Sequence, residues 1–425
     1  MCLKYSMSKY VIQGNNKLSG EVEIAGAKNH ALKILPATML TKQICIIDNV
    51  PDIEDVKIML AIMTKLGSKI KKLGTNSYEI NNAQIKNWEI DDLLARRLRT
   101  SILFIAPLLA RLQKAILPHP GGCVIGKRPI NLFIDGFANF GVRIKFHHDH
   151  YSLQAKKMVG AQIIFPQVSH TGTESMIMAA VLARGETKII NAACEPEVVA
   201  LCDMLVKMGA KIIGSGTPEI TIGGVNELQG VRYQVIPDRL EMGSFIILAA
   251  LNKGQITLKN CQPNLLTIPI SLWQKIGVKM TIKKNDIIVY GSPKPLQAIN
   301  IITHEYPGFP TDLQAPMTVL LTQSQGLSMV HETIYESRLY YTDMLNRMGA
   351  NIILCDPHRI IIQGPTKLQG KKVESPDLRA GIAMLIAASI AVGTSEIDNI
   401  YQIERGYQNL VPRLQKLGLK INKID

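Results

Sequence analysis

A chain of 425 residues, 47% hydrophobic and 19% charged, is too long for one core and has the make-up of a globular protein of two domains. No apolar run reaches membrane-spanning length and no secretory pattern opens the chain, so a cytoplasmic location is expected, with Met7 as able as Met1 to be the initiator. The net charge of +14 invites polyanionic partners. Its lysines and arginines are scattered and only 5% of residues are aromatic, which argues against a nucleic-acid surface and fits small polyanionic substrates equally well.

Taken in order, the chain repeats one pattern: a long apolar residue, Gly, a small or apolar residue, usually a basic one, then an apolar one. It occurs at Gly67, Gly141, Gly209, Gly277, Gly349 and Gly418, at intervals of 74, 68, 68, 72 and 69 residues. A near-constant interval marks a repeated structural unit. Each glycine fits the end of a helix, where φ > 0 is needed, with a strand to follow. Short β-rich runs precede those helices at Ile44–Asn49, Lys188–Asn191, Ile256–Asn260 and Ser395–Asn399. A second, more apolar helix fits Ser175–Leu182, Met242–Leu251, Leu313–Thr322 and Leu378–Val392. One unit is therefore strand, helix, strands and helix, and six units make two similar α/β domains of three units each.

Seven cysteines are scattered without CxxC spacing, which argues against a disulfide framework and a zinc site and suggests reduced thiols. The run His147-His148-Asp149-His150 reads as a solvated hairpin turn more readily than as a metal site. The stretch Pro120-Gly121-Gly122-Cys123-Val124-Ile125-Gly126-Lys127-Arg128-Pro129 can continue neither helix nor strand and is a loop. Its thiol stands near Lys127 and Arg128, and cationic neighbours favour the reactive thiolate. Other loops at equivalent places carry Arg338 (Glu332–Tyr340) and Arg405 (Tyr401–Tyr407), where two domains could face each other across a ligand cleft.

The layout and local motifs resemble the enolpyruvyl transferases. The motifs are Gly26-Ala27-Lys28-Asn29, Leu98-Arg99-Thr100-Ser101, the Cys123 loop, Glu195-Pro196-Glu197, Pro237-Asp238-Arg239-Leu240-Glu241, Phe309-Pro310-Thr311-Asp312, Glu336-Ser337-Arg338, Asp377-Leu378-Arg379 and Glu404-Arg405-Gly406-Tyr407. Gly121-Gly122-Cys123 points to the branch that uses a UDP-sugar rather than to the shikimate branch, which lacks it.

The resemblance implies two inside-out α/β barrels, 1–27 with 238–425 and 28–237, the chain crossing between them near Ala27 and Pro237. It implies transfer of the enolpyruvyl group of phosphoenolpyruvate to UDP-N-acetylglucosamine, with no metal and no organic cofactor, by a monomer or weak homo-oligomer. Cys123 would protonate the methylene carbon and be the residue alkylated by fosfomycin. Asp312 would take the proton of the attacking hydroxyl or orient it, its other reading being a helix N-cap. Lys28, also given a catalytic role, Asn29, Arg128 and Arg405 would hold phosphoenolpyruvate, with Arg338 and Arg379 at the anion site. Arg99, Arg128, Pro129, Ile130, Asn131, Leu132, Ser169, His170, Asp312 and Ile334 would hold the sugar nucleotide. Arg99 also reads, with Arg96, Arg97, Asp91 and Asp92, as part of a solvated helix face.

Departures from the family pattern collect at the nucleotide: Asn131 where an aspartate is usual, Gln167 for a lysine, and an unusual Ser169-His170-Thr171-Gly172. His119 and Lys127 are unusual as well. A relative using another UDP-sugar, a silent UDP-sugar-binding protein and a shikimate 3-phosphate transferase are the alternatives.

Overall fold

A computed structural model of the chain describes residues 8–119, 130–292 and 295–425. These form two compact α/β units, residues 8–25 with 237–425, and residues 26–119 with 130–236. The breaks fall between Ala25 and Gly26 and between Ile236 and Pro237. Gly26 cannot carry a side chain, because an added Cβ would overlap the carbonyl of Asn49.

Within residues 26–236 the strand Ile44–Asp48 pairs in parallel with Arg232–Gln234 and antiparallel with Ser77–Asn81, which pairs on with Lys69–Gly74. Glu186–Ile190 has the same neighbours in kind: Gln162–Ile164 parallel, then Glu219–Gly223 and Lys211–Ile213 antiparallel. A third sheet, Lys114–Pro118 with His150–Gln154 and Arg143–Phe146, keeps only a parallel bridge from Glu89 to Ile116. His147 to Asp149 form the turn of its hairpin, closed by the His147 N–H on the His150 carbonyl.

The other unit repeats the order. Lys253–Lys259 lies parallel to Lys17–Glu23 and antiparallel to Ile287–Tyr290, and Ser324–His331 and Thr394–Asp398 are flanked in the same way. In the Thr394–Asp398 sheet the antiparallel place is taken by the first strand, Lys9–Gln13, which also pairs with Lys420–Ile424.

Two residue types make the order possible. Asn49, Asn191, Asn260 and Asn399 end the parallel-paired strands at φ of 58°, 60°, 58° and 55°, a left-handed conformation that asparagine tolerates. Each side-chain amide donates to the carbonyl one residue beyond the parallel neighbour, on Val235, Phe165, Ile24 and Ser375. The six glycines read from the sequence follow their helices at φ of 111°, 80°, 102°, 108°, 100° and 97°.

Three apolar helices, Arg239–Leu251, Gln314–Thr322 and Leu378–Ile390, pack on one another at the centre of their unit. All but the last residue of Arg239–Leu251 is buried, each large apolar side chain contributing roughly 1.5–3 kcal/mol. Lys28–Ala37, Ile105–Leu112 and His170–Ala180 line the core of residues 26–236. Two helices begin earlier than the apolar runs suggest, at His170 rather than Ser175 and at Arg239 rather than Met242. The cause is a polar first turn capped by Ser169 or Asp238, whose side chains accept from Gly172 N–H and from Leu240 and Glu241 N–H. Chemistry-bearing side chains thus stand at the starts of apolar helices.

Candidate active site

In the unit of residues 237–425, Asp312, Arg338 and Arg379 come together. Asp312 lies inside the short 3-10 turn Thr311–Leu313. Its Oδ1 accepts from Arg338 Nη2 at 2.8 Å, and its Oδ2 faces Arg379 Nε and Nη2, both at 3.0 Å. The helix N-cap reading of Asp312 is therefore not what forms: Pro310 takes the cap position and no side chain caps the turn. Two guanidinium groups outcompete neutral backbone donors for a carboxylate.

The arginines are almost fully covered, with 4% and 6% of their side chains exposed, against 26% for Asp312. Burial alone would raise the Asp312 carboxyl, but Arg379 and Arg338 outweigh it and hold it well below the usual carboxylate range. Burial likewise opposes both guanidinium charges, and the Asp312 carboxylate overcomes it, so both stay firmly charged.

The surroundings fix this triad. Arg338 Nη1 donates to Thr311 Oγ1 at 2.7 Å, and that hydroxyl donates to Glu332 Oε2 at 2.8 Å. The other Glu332 oxygen accepts from the N–H groups of Ile334 and Tyr335, at 2.9 and 3.2 Å. Arg379 stands in the first turn of Leu378–Ile390, where Asp377 caps its N–H at 2.7 Å. Its Nη1 reaches the Tyr407 hydroxyl at 3.4 Å, which is 3.0 Å from Ser244 Oγ. Arg405, two residues before Tyr407, is half-buried, with Nη1 on Gln402 Oε1 at 3.1 Å. Preceding it, Glu404 is tied to Tyr10 and Lys423.

In the unit of residues 26–236, Lys28 opens the helix Lys28–Ala37 and its Nζ is 2.7 Å from Asp55 Oδ2, both side chains being nearly covered. A cation is disfavoured at a helix start, and the buried carboxylate offsets that. Asn29 is half-buried beside it. Arg96 and Arg97 lie on the exposed face of Asp92–Arg97, paired with Asp92 and Glu54. Arg99 lies beyond that helix, half-buried at the start of Arg99–Phe104, so it is not part of the solvated face. Asn131 opens the helix Asn131–Asn139 and is exposed, while Ile130 and Leu132 are half-buried. Ser169 and His170 start the helix His170–Ala180. Cys123, Lys127, Arg128 and Pro129 lie outside the described residues.

Sequence reasoning missed Asp55, Glu332 and Tyr407 as partners of the expected residues, and missed the buried Lys33 and Glu174. A lysine and a glutamate inside otherwise apolar helical runs were the available sign. A cavity of about 490 Å³ opens elsewhere in this unit beside Lys65, Glu89, Asp91, Arg96 and His150, and none of the described site residues lines it.

The chain was compared with known proteins. The profile of EPSP synthase (3-phosphoshikimate 1-carboxyvinyltransferase) matches residues 12–414. The UDP-N-acetylglucosamine 1-carboxyvinyltransferase of Desulfosudis oleivorans is 42% identical over 98% of this chain and all of its own length. The protein of that name from Treponema pallidum is 40% identical over the same shares. Among solved structures, the enolpyruvyl transferase NikO from Streptomyces tendae has the same fold, with a TM-score of 0.90 at 21% identity over 98% of both chains. An EPSP synthase from Acinetobacter baumannii follows with a TM-score of 0.75 at 18% identity, over 98% of this chain and 100% of that one.

Proposed function

The chain belongs to the EPSP synthase family of enolpyruvyl transferases, and from that premise we propose its reaction and the residues that carry it. It transfers the enolpyruvyl group of phosphoenolpyruvate to the 3′-hydroxyl of UDP-N-acetylglucosamine and releases phosphate, the first committed step of peptidoglycan synthesis. The observation that carries this reading is identity of about 40% along the whole length to enzymes named for that acceptor.

The chemistry runs by addition and elimination. Cys123 gives a proton to the methylene carbon of phosphoenolpyruvate, and the 3′-oxygen bonds to the neighbouring carbon while its own proton passes to water. The resulting tetrahedral ketal then loses a methyl proton and phosphate, restoring the double bond. Lys28, Asn29, Arg128 and Arg405 hold phosphoenolpyruvate, and Arg338 and Arg379 complete the anion site. Arg99, Arg128 to Leu132, Ser169, His170, Asp312 and Ile334 hold the sugar nucleotide.

Of the two roles open to Asp312, its pairing supports the second. A carboxylate bound by two guanidinium groups is a weak proton acceptor, so Asp312 orients the attacking hydroxyl rather than storing its proton. The two units are each an inside-out barrel of three repeats, in a cytoplasmic enzyme that is a monomer or weak homo-oligomer.

The test is phosphate release from phosphoenolpyruvate with UDP-N-acetylglucosamine, and separately with shikimate 3-phosphate, in wild type and Cys123→Ser. Release with the UDP-sugar that collapses in the serine variant is the expected result, a hydroxyl being a far weaker acid than a thiol. Release with shikimate 3-phosphate alone overturns the acceptor. Labelling by fosfomycin is expected at Cys123 and not at Cys45, Cys202 or Cys261, whose burial pushes their thiols up to about 11, 11 and 12.

A further inference from the structure

The first turn of His170–Ala180 belongs to a buried charge cluster whose Lys33, Glu174 and Glu195 none of the steps above uses. Glu174 has no exposed side-chain surface. Its Oε1 is 3.1 Å from His170 Nε2 and its Oε2 is 3.3 Å from Lys33 Nζ on the helix Lys28–Ala37, that lysine side chain being 4% exposed. Glu195, just before the helix Pro196–Lys207, is 9% exposed, has an Oε2 without a hydrogen-bond partner among the described residues, and attracts the same imidazole. Cys202 on that helix is close enough to feel Glu174, but its buried thiol, pushed up to about 11, carries no charge.

Glu174 thus stands between the His170 imidazole and the Lys33 amine, and Glu195 is near enough to attract the imidazole as well. A buried carboxylate this close favours a proton on the imidazole. Burial opposes the proton on His170 and Lys33 repels it, yet Glu174 and Glu195 prevail and the imidazole is raised above its ordinary value. Its side chain remains 24% exposed, at the first residue of its helix. From Pro166 to Thr173 it is also the one ionisable side chain.

We propose that His170, facing Glu174 at the start of its helix, is a proton-linked positioning residue for the sugar nucleotide. The inference rests on the UDP-N-acetylglucosamine reading above. Its sign follows from the pair: the charge is present at low pH and is lost as pH rises through the raised value, so nucleotide affinity falls with rising pH. The diphosphate diester does not titrate in that range and the uracil N3–H ionises only at its alkaline end, so the slope through neutrality belongs to the protein.

The test is calorimetric binding of UDP-N-acetylglucosamine without phosphoenolpyruvate, from about pH 6 to about pH 9, for wild type, His170→Val and His170→Lys. The wild-type affinity is expected to fall roughly three- to ten-fold across that range, as one partly screened charge contact is lost. His170→Val is expected to bind weakly with a flat profile, and His170→Lys to bind tightly with a flat profile. A second readout needs no variant: the His170 imidazole, followed by NMR, is expected to titrate above the ordinary value and to move higher still when UDP-N-acetylglucosamine is added. Equal slopes in wild type and His170→Val, or a midpoint that the nucleotide leaves unmoved, overturns the inference alone. No binding by wild type at any pH overturns the acceptor reading and this inference with it.

Discussion

Arg379 grips Asp312 through two nitrogens on one oxygen, Nε and Nη2 each 3.0 Å from Oδ2, although 67 residues separate them in sequence. With Arg338 on the other oxygen, three nitrogens hold the carboxylate and an acceptor position remains for a hydroxyl. The first expectation follows from that geometry.

Asp312→Asn keeps the shape and removes the charge. Its kcat is expected to fall about 100-fold through lost orientation of the hydroxyl, with a smaller change in KM for the sugar nucleotide. Urea unfolding is expected to show a loss of about 3–5 kcal/mol, because two buried guanidinium groups lose their partner. The depressed carboxyl contributes stability that is complete above its unfolded value of about 4 and is lost as pH falls toward its folded value. The pH profile of kcat around neutrality should thus contain no limb from Asp312, and an acid limb that disappears in Asp312→Asn would contradict the orienting role.

Tyr407 tests the support behind Arg379. The residue is 2% exposed, and burial pushes its phenol up to about 12, so it stays a neutral hydroxyl shared by Arg379 and Ser244. Tyr407→Phe is expected to cost about 1 kcal/mol of stability and to lower kcat/KM for phosphoenolpyruvate about ten-fold. Steady-state kinetics with an unchanged kcat/KM would remove Tyr407 from the positioning of Arg379.

Glu332 joins the turn that carries Asp312 to the loop that carries Ile334. A glutamine retains one acceptor oxygen and an alanine none. Glu332→Gln is expected to raise KM for the sugar nucleotide with little change in kcat, and Glu332→Ala to raise it further with a stability loss of about 1–3 kcal/mol. If the two variants behave alike in both measurements, the link through Thr311, Ile334 and Tyr335 is not what holds the loop.

Gly67 and Gly209 separate backbone strain from crowding. At φ of 111° and 102° an alanine is strained at both, by about 1–2 kcal/mol. An added Cβ meets nothing within 4 Å at Gly209 but lies 2.9 Å from the Gln84 carbonyl oxygen at Gly67. Gly67→Ala is expected to lower the thermal midpoint more than Gly209→Ala, and the reverse order would show that packing around Gly67 yields freely.

The glycines were legible in the sequence because a left-handed helix end leaves few residue types to choose from, and the pattern around them repeats. Four of the six apolar helices were legible, two of them blurred at their starts, since hydrophobicity locates Phe245 or Met176 but is silent on Asp238 and Ser169. Asp312 shows the limit most clearly. Its local context, a threonine and an aspartate before an apolar run, is that of a cap. Arg338 and Arg379, 26 and 67 residues on, decide otherwise, and no local pattern carries that fact. His170 looked like a departure in a nucleotide segment, and only the fold brings Lys33 and Glu195 to it.

The strand Lys9–Gln13 lies between Thr394–Asp398 and Lys420–Ile424. A ribosome releasing about 5–20 residues per second takes about 20 to 80 s to pass from Lys9–Gln13 to these partners. Residues 26–236 leave the ribosome as one continuous stretch and can condense meanwhile. The opening strand, with Tyr10 and Ile12 destined for the core, must stay unpaired until the last strands emerge. Its exposure to chaperones and to self-association is set by the time needed to make the rest of the chain, and a clone shortened by its final five residues would leave one edge of that strand permanently unmatched.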